Sequence, residues 1–310
     1  MTATASFTPT PEFVTGSVLT LADGDPGDAV SLNAAPKSSL NQAAHLLAAV
    51  DGLLVWARKA RVATGGASSG NTGIYVPPIE AVSLLNGSTW VAKALATETQ
   101  LTTADHFGGG TLAADTNYYV YAVLSGGALS FEISTTAPDA ALTWKTGATG
   151  TARYLFAVHT NSSGVPLPMQ MSGGRYRYRV SAITSTELRA LNASAVAGVA
   201  TDVILARAGV AGRELLPAHA RIACLRAVCI SSGNSASDQV TGLVYTNGDT
   251  TTPTARFVMY PQTASQEMRM DFDIECDSAR TVDYTLAVGN ADASDPSFGS
   301  FDLYVLGFDE

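Results

Sequence analysis

A strict two-residue alternation near the end of the sequence restricts the fold more than any other feature. Between residues 267 and 277, Met268, Met270, Phe272, Ile274 and Cys276 alternate with charged residues. A period of two places these apolar side chains on one face of a β-strand, whereas a helix would scatter them around its axis. The segment is therefore predicted to be a strand with one buried face and one charged face.

Similar strand patterns recur from residue 82 to the end of the chain, separated by turn residues. Asn86-Gly87 and residues 125–128 each join two apolar runs, which predicts two β-hairpins. Residues 186–200 fit either a helix or strands, and their β-rich surroundings favour strands. Further strands are expected at residues 154–160, 175–180, 222–230, 241–246, 255–260, 267–277, 281–288 and 300–308.

These strands predict a mainly β fold with two β-domains. Pro166 and Pro168 interrupt regular strand pairing and mark the boundary between them. We expect a small antiparallel β-domain at residues 64–172 and a C-terminal β-sandwich at residues 173–310. Many short strands at regular spacing are typical of a sandwich of the jelly-roll type.

The first 63 residues have a different pattern. Residues 1–35 contain turn signals at short intervals, which predicts an extended arm that orders by docking onto a partner. Residues 36–63 are predicted to form an amphipathic helix with a heptad repeat. Two alternatives stay open, because such a helix can pack on its own subunit or self-associate in a bundle. The residues of the predicted oligomer interface are Leu40, Leu47, Val50 and Leu54.

Composition excludes several classes of function. The chain has 18 basic and 27 acidic residues and a net charge of −9, which disfavours a nucleic-acid partner. No apolar run is long enough to span a bilayer, and the first residues lack the pattern of a secretory signal, so we expect a cytoplasmic product without membrane insertion. The three cysteines, without a Cys-x-x-Cys motif, are predicted to be buried thiols.

The sequence contains no recognisable catalytic or metal-binding motif. Its four histidines lack metal-ligand spacing, and no phosphate-binding loop or Gly-x-Gly-x-x-Gly dinucleotide fingerprint is present. We therefore predict a protein that is not an enzyme and needs no metal ion or cofactor.

Two charge ladders are the strongest candidate interaction features. Three interpretations of the acidic ladder stay open: a solvated outer face, pairing with the arginine ladder within or between subunits, and a calcium site. The residues of the two ladders are Arg175, Arg177 and Arg179, and Asp271, Asp273 and Glu275.

Exposed aromatic residues could also stack on sugar rings. Trp90 and Tyr119 are the candidates for such a glycan contact. The alternative is that they belong to the core, because alternate aromatic residues on a half-buried strand usually face inward.

Three stretches of the chain resemble tail-fibre and baseplate structural proteins of tailed bacteriophages. The first is NYYVYA, FEISTTAP, RYLF and HTNSSG (residues 117–122, 131–138, 153–156 and 159–164), the second TDVIL and LPAHA (201–205 and 216–220), and the third PKSSLN (36–41). The resemblance implies a homotrimer in the virion tail. Its residues 1–35 would bind other tail or baseplate proteins, and its C-terminal part would face the host.

A second function stays open beside the structural one. The chain could be a carbohydrate-binding module or a receptor-binding protein of the depolymerase type, with specific glycan recognition at the host surface. The resemblance supplies no catalytic residues for either function.

Overall fold

The structure of the protein is a computed structural model. It describes residues 4–5, 19–20, 74–102, 107–108, 110–172, 174–179, 188–193, 198–205, 214–231, 239–249, 251–259, 266–289 and 298–310. The predicted helix, with Leu40, Leu47, Val50 and Leu54, lies outside the described residues. Of the predicted arm, two short paired strands are described.

Every regular element among the described residues is a β-strand, which confirms the mainly β fold class. No helix in this part of the chain is long and apolar enough to cross a membrane. The strands are β1 (Thr4–Ala5), β2 (Leu19–Thr20), β3 (Ile74–Val76), β4 (Ile79–Asn86), β5 (Thr89–Leu95), β6 (Thr99–Leu101), β7 (Asn117–Ser125), β8 (Ala128–Ser134), β9 (Ala152–His159), β10 (Met169–Ser172), β11 (Arg175–Tyr178), β12 (Arg189–Ala193), β13 (Gly198–Ile204), β14 (Ile222–Ser231), β15 (Gln239–Thr246), β16 (Ala255–Met259), β17 (Glu267–Glu275), β18 (Thr281–Gly289) and β19 (Phe298–Asp309).

The first β-domain contains the two predicted hairpins. β4 pairs with β5 across the turn at Gly87, whose φ of 63° favours glycine. The second hairpin pairs β7 with β8, and β9 adds to the other side of β7. The β4–β5 hairpin joins the region before β9 through the hydrogen bond from Leu85 N to Gly150 O (2.7 Å).

The C-terminal domain is a β-sandwich of two antiparallel sheets. One sheet has the order β10-β11-β19-β14-β17, with β12 also paired to β19, and the other has the order β13-β18-β15-β16. When the eight strands from β12 to β19 are numbered one to eight, the sheet orders become 1-8-3-6 and 2-7-4-5. This is the strand order of a jelly roll, in which two Greek keys form the sandwich.

Aromatic residues fill the space between the two sheets. Phe301 of β19 is fully buried and lies 5.6 Å from the ring of Phe257 and 5.4 Å from that of Tyr284, on the opposite sheet. Gly242 makes room for the Phe257 ring, since a Cβ at this position would lie 1.7 Å from it. The core of the sandwich thus depends on a glycine beneath an aromatic ring.

The alternating segment forms the edge strand β17 of the larger sheet. Its charged residues are exposed, and Ile274 on the opposite face is buried. Residues 189–193 and 198–204 form strands, as the β-rich surroundings favoured.

Two details differ from the sequence predictions. β10 pairs with β11 in the larger sheet and so belongs to the sandwich, not to the domain predicted at residues 64–172. Cys224 and Cys229 are buried as predicted, but Cys276 is only half-buried, because it follows the end of β17.

Candidate functional site at the junction of the two β-domains

Residues 214–221, which we call the junction segment, pass between the two β-domains. Asn117 of the first domain donates from Nδ2 to the backbone oxygens of Glu214 and Leu216, each at 3.0 Å. Tyr178 of the second domain donates from its hydroxyl to Leu215 O at 3.0 Å. Side chains from both domains therefore satisfy the backbone of the segment between them.

A buried polar cluster lies next to this segment. Its members are Tyr154 of β9, Tyr176 of β11, His219 and Glu310, which we call the junction cluster. Glu310 Oε1 accepts hydrogen bonds from the hydroxyls of Tyr176, at 2.5 Å, and Tyr154, and lies 3.0 Å from His219 Nε2. The Glu310 side chain has no exposed surface. One oxygen of Glu310, which follows β19, thus contacts three other segments of the chain: β9 of the first domain, β11 of the sandwich and the junction segment.

Burial keeps both tyrosine hydroxyls of the cluster protonated. It raises the pKa of Tyr154 and Tyr176 well above the ordinary value, and the neighbouring Glu310 carboxylate raises the pKa of both further. The hydroxyls and the Oε1 atom of Glu310 are engaged with one another. The arrangement is suited to holding two domains together, because hydroxyls from both domains donate to the same carboxylate oxygen.

A cavity of about 280 Å³ lies beside the cluster. Its first wall is the loop after β8, at residues 137–142, and its second wall comes from the junction segment. His219 belongs to both the cluster and the cavity. The lining residues are Ala137, Pro138, Asp139, Ala140, Leu142, Ala218, His219 and Arg221.

The arginine ladder and part of the acidic ladder meet on the outer face of the larger sheet. Arg175 Nη2 lies 3.2 Å from Asp273 Oδ2, and Arg177 Nη2 lies 3.5 Å from Asp273 Oδ1. The contacts are within one chain. Both arginines also approach Asp309, which binds Arg175 through two hydrogen bonds, from Nε to Oδ1 (3.0 Å) and from Nη2 to Oδ2 (2.8 Å).

Sequence reasoning missed Asp309 because the pairing depends on strand register. β19 lies between β11 and β14, and Arg175 is directly opposite Asp309. Arg177 is opposite Gly307, where a Cβ would lie 1.9 Å from the backbone oxygen of Tyr176. The glycine lets β11 approach closely, and Arg177 also contacts the Cys224 thiol on β14.

The other ladder residues lie apart from this group. Asp271 binds Arg226 of the neighbouring strand β14, with Nη2 and Oδ2 2.6 Å apart. Hydrogen bonding from Arg226 lowers the pKa of Asp271. Arg179 and Glu275 are exposed, and no ion pair joins either one to another described residue.

The two candidate glycan contacts are part of the packing. Tyr119 is 4% exposed, and its ring lies 5.5 Å from that of His219. It is a core residue, because both faces of β7 are buried from Tyr118 to Ala122, so the expected contact with a sugar does not hold for Tyr119. Trp90 is half-buried and packs on Trp144, with ring centroids 5.7 Å apart.

The described residues contain no group of three or more His, Cys, Asp or Glu side chains arranged to hold a metal ion. The carboxylates of β17 are neighbours along one strand, and two of the three in the predicted ladder are paired with arginines.

Comparisons with known proteins identify no family. No family model matches the chain, and no curated protein sequence matches it. Among solved structures, it is similar to a chain in the structure of infectious bursal disease virus Gx strain, with 11% sequence identity and a TM-score of 0.18. The alignment covers 76% of this chain and 65% of the viral chain. A similarity this low carries no argument about fold or function.

Proposed function

We propose that this chain is a non-enzymatic structural protein of a tailed-bacteriophage particle, a homotrimeric component of the tail fibre or baseplate. The observation that supports it most is the jelly-roll order of the C-terminal sandwich. Jelly rolls build many viral capsid and lectin domains. Fold alone is an analogy, and the resemblance of residues 117–164, 201–220 and 36–41 directs it to bacteriophage tails.

The junction between the two β-domains supports a mechanical role. Asn117 and the junction cluster connect the first domain to the sandwich through buried hydrogen bonds. Buried hydrogen bonds that cross from one domain to the other restrict the motion between them. A rigid pair of domains suits a particle component that must hold its distal end in a fixed orientation.

Assembly is assigned to the N-terminal part in this proposal. Residues 1–35 would bind other tail or baseplate proteins, and the helix at residues 36–63 would associate the subunits through its heptad positions. The product would be made in the host bacterial cytoplasm and become part of the virion tail. The sandwich would then be directed to the host surface.

The engaged state of the polar groups supports the non-enzymatic part of the proposal. In the junction cluster, the hydroxyls of Tyr154 and Tyr176 both donate to Glu310, whose side chain is fully buried. General acid–base catalysis needs a group within reach of a substrate proton. The carboxylate of Glu310 instead accepts hydrogen bonds from both domains.

Antibody labelling of intact particles tests the location. Gold-labelled antibody against residues 173–310 is expected to mark the tail in electron micrographs. Light scattering of the purified chain should give three times the subunit mass of 32.0 kDa. Unlabelled particles, or a stable monomer with its N-terminal part intact, would contradict the proposal.

A further inference from the structure

The cavity beside the junction cluster has polar groups on both of its walls. Ligand sites occur preferentially between domains, where a few polar side chains converge on an otherwise apolar cleft. Here Asp139 comes from the first domain, and His219 and Arg221 come from the junction segment. Pro138 and Leu142 add apolar surface.

Asp139 is held in place by its own loop. Its Oδ1 atom accepts hydrogen bonds from the backbone of Thr143, at 2.8 Å, and Trp144, at 3.2 Å. The backbone of Asp139 also bonds Trp144 O (2.8 Å) and Leu142 N (2.9 Å). The second carboxylate oxygen, Oδ2, accepts no hydrogen bond from a described residue. It is a fixed acceptor with remaining capacity.

Arg221 supplies donors from the opposite wall. Its backbone is fixed by hydrogen bonds to Asp309 O (2.9 Å) and from Cys276 N (2.7 Å). Its side chain is exposed, and no carboxylate among the described residues pairs with its guanidinium. Arg221 therefore lines the cavity from a fixed backbone position, and its guanidinium has no carboxylate partner among the described residues.

His219 also lines the cavity. Its side chain is 10% exposed, and Nε2 is engaged with Glu310. Nδ1, on the other side of the ring, is buried and has no hydrogen-bond partner among the described residues. This atom is closed to solvent, so His219 adds ring surface to the cavity, and the polar contacts to a ligand rest on Asp139 and Arg221.

These groups select the charge of the ligand. Arg221 attracts an anion and Asp139 repels it, and the reverse holds for a cation, so the pair gives neither net charge an advantage. A hydroxyl group both donates and accepts, so neighbouring hydroxyls can bond a carboxylate and a guanidinium at the same time. The volume of about 280 Å³ lies at the lower limit for ligand sites, which suits one ring rather than a chain of several.

We propose that this cavity binds a neutral polyhydroxylated ligand the size of a single sugar ring. Asp139 accepts from its hydroxyls, Arg221 donates to them, and Pro138 and Leu142 contact its C–H face. Trp90 and Tyr119 do not line this cavity, although the Tyr119 ring packs on His219. The inference does not depend on the chain being a virion protein.

Titration calorimetry of the full chain with glucose, galactose and N-acetylglucosamine tests this inference. At least one sugar is expected to bind with a millimolar Kd. Asp139→Asn keeps the Oδ1 acceptor that holds the loop, and Arg221→Gln changes an exposed side chain, so both variants should fold. Each should weaken binding about tenfold or more, as expected for loss of a hydrogen bond to a charged group.

Asp249→Asn is the matched control. Asp249 also binds two backbone N–H groups, those of Thr251 and Thr252, but in a different loop. The Asp249→Asn variant should bind the sugar with the same Kd as the unchanged chain. Absence of binding by all three sugars, equal binding by Asp139→Asn and Arg221→Gln, or tighter binding of acetate than of any sugar would each overturn the proposal.

Discussion

At the scale of single residues, burial determines the chemistry of the polar side chains. The hydroxyl of Tyr176 donates to Glu310 while its ring stacks on Phe308, with centroids 4.2 Å apart. The packing and the hydrogen bond of this tyrosine are therefore separable by one substitution. Burial also determines the reactivity of the thiols, because it raises their pKa.

Tyr176→Phe should lower the free energy of unfolding by about 1–3 kcal/mol, because it keeps the stacked ring and removes one donor from a buried carboxylate. Urea unfolding at neutral pH measures the change. Tyr284→Phe is the control, since the hydroxyl of Tyr284 makes no hydrogen bond to a described residue. We expect it to change stability by no more than about 0.5 kcal/mol. Equal effects of the two substitutions would argue against the cluster as a source of stability.

The three thiols should differ in reactivity. Burial raises the pKa of Cys224 and Cys229 to about 12, and that of Cys276 to about 11. A raised pKa reduces the thiolate fraction, which is the reactive form. Half-buried Cys276 is expected to react first with iodoacetamide, and all three should react at similar rates in denaturant. Mass spectrometry of timed samples identifies the order, and faster labelling of Cys224 would contradict it.

At the scale of elements, the period of two was sufficient to predict strands but not their partners. β14 and β17 to β19 were predicted from alternation and apolar runs, and their limits agree closely with the structure. The short strand β10 was missed because prolines precede it and only four residues pair. Arg226 and Asp309 were missed as partners because a pair across strands requires a register, which one sequence does not contain.

The junction cluster could not be predicted either, because its contacts also depend on how distant segments are placed in the fold. Its members are far apart in the sequence, and each is a common residue type without a motif. The charge ladders in the sequence do indicate Arg175, Arg177 and Asp273, which lie together in the structure. Tyr119 failed as a surface contact because both faces of β7 are buried around it, which no local sequence pattern shows.

Asp271→Asn should remove the ion pair that joins Asp271 on β17 to Arg226 on β14. The contribution of this pair to the free energy of unfolding depends on pH. Arg226 lowers the pKa of Asp271 from its ordinary value of 3.8, so the contribution is complete above 3.8 and is lost as the pH falls through the lowered pKa. The carboxylate is 52% exposed, which limits the contribution to about 0.2–1 kcal/mol.

Urea unfolding at pH 7 and in acid measures this effect. The difference between the unchanged chain and the variant should be present at pH 7 and should shrink in acid. Glu275→Gln is the control on the same strand, because no ion pair joins Glu275 to a described residue. A difference that grows in acid would show that the pair is not its source.

At the scale of the whole molecule, two β-domains are connected through side chains, and the proposed assembly acts through the N-terminal part. The domains share the junction segment, so they are expected to stay folded when the subunits separate. Stability of the subunit and assembly of the trimer can therefore be tested independently.

Leu47→Asp should dissociate the oligomer while both β-domains stay folded. A carboxylate at a heptad position would be buried without a partner in the bundle, which strongly disfavours association. Light scattering measures the mass, and circular dichroism measures the β signal. His45→Asp is the control, since this position lies on the opposite side of the predicted helix. Unchanged assembly of Leu47→Asp would show that the helix packs only within its own subunit.

The charged face of β17 also has a consequence for copies crowded on one particle. β17 pairs with β14 alone among the described strands, so within the described part of the chain it is an edge strand. Edge strands of this kind can template aggregation. If two copies paired through this edge, carboxylates such as Glu267 and Glu275 would lie opposite other carboxylates. Like charges directly opposite each other are destabilising. The alternation that defines the strand thus also protects solubility at high local concentration.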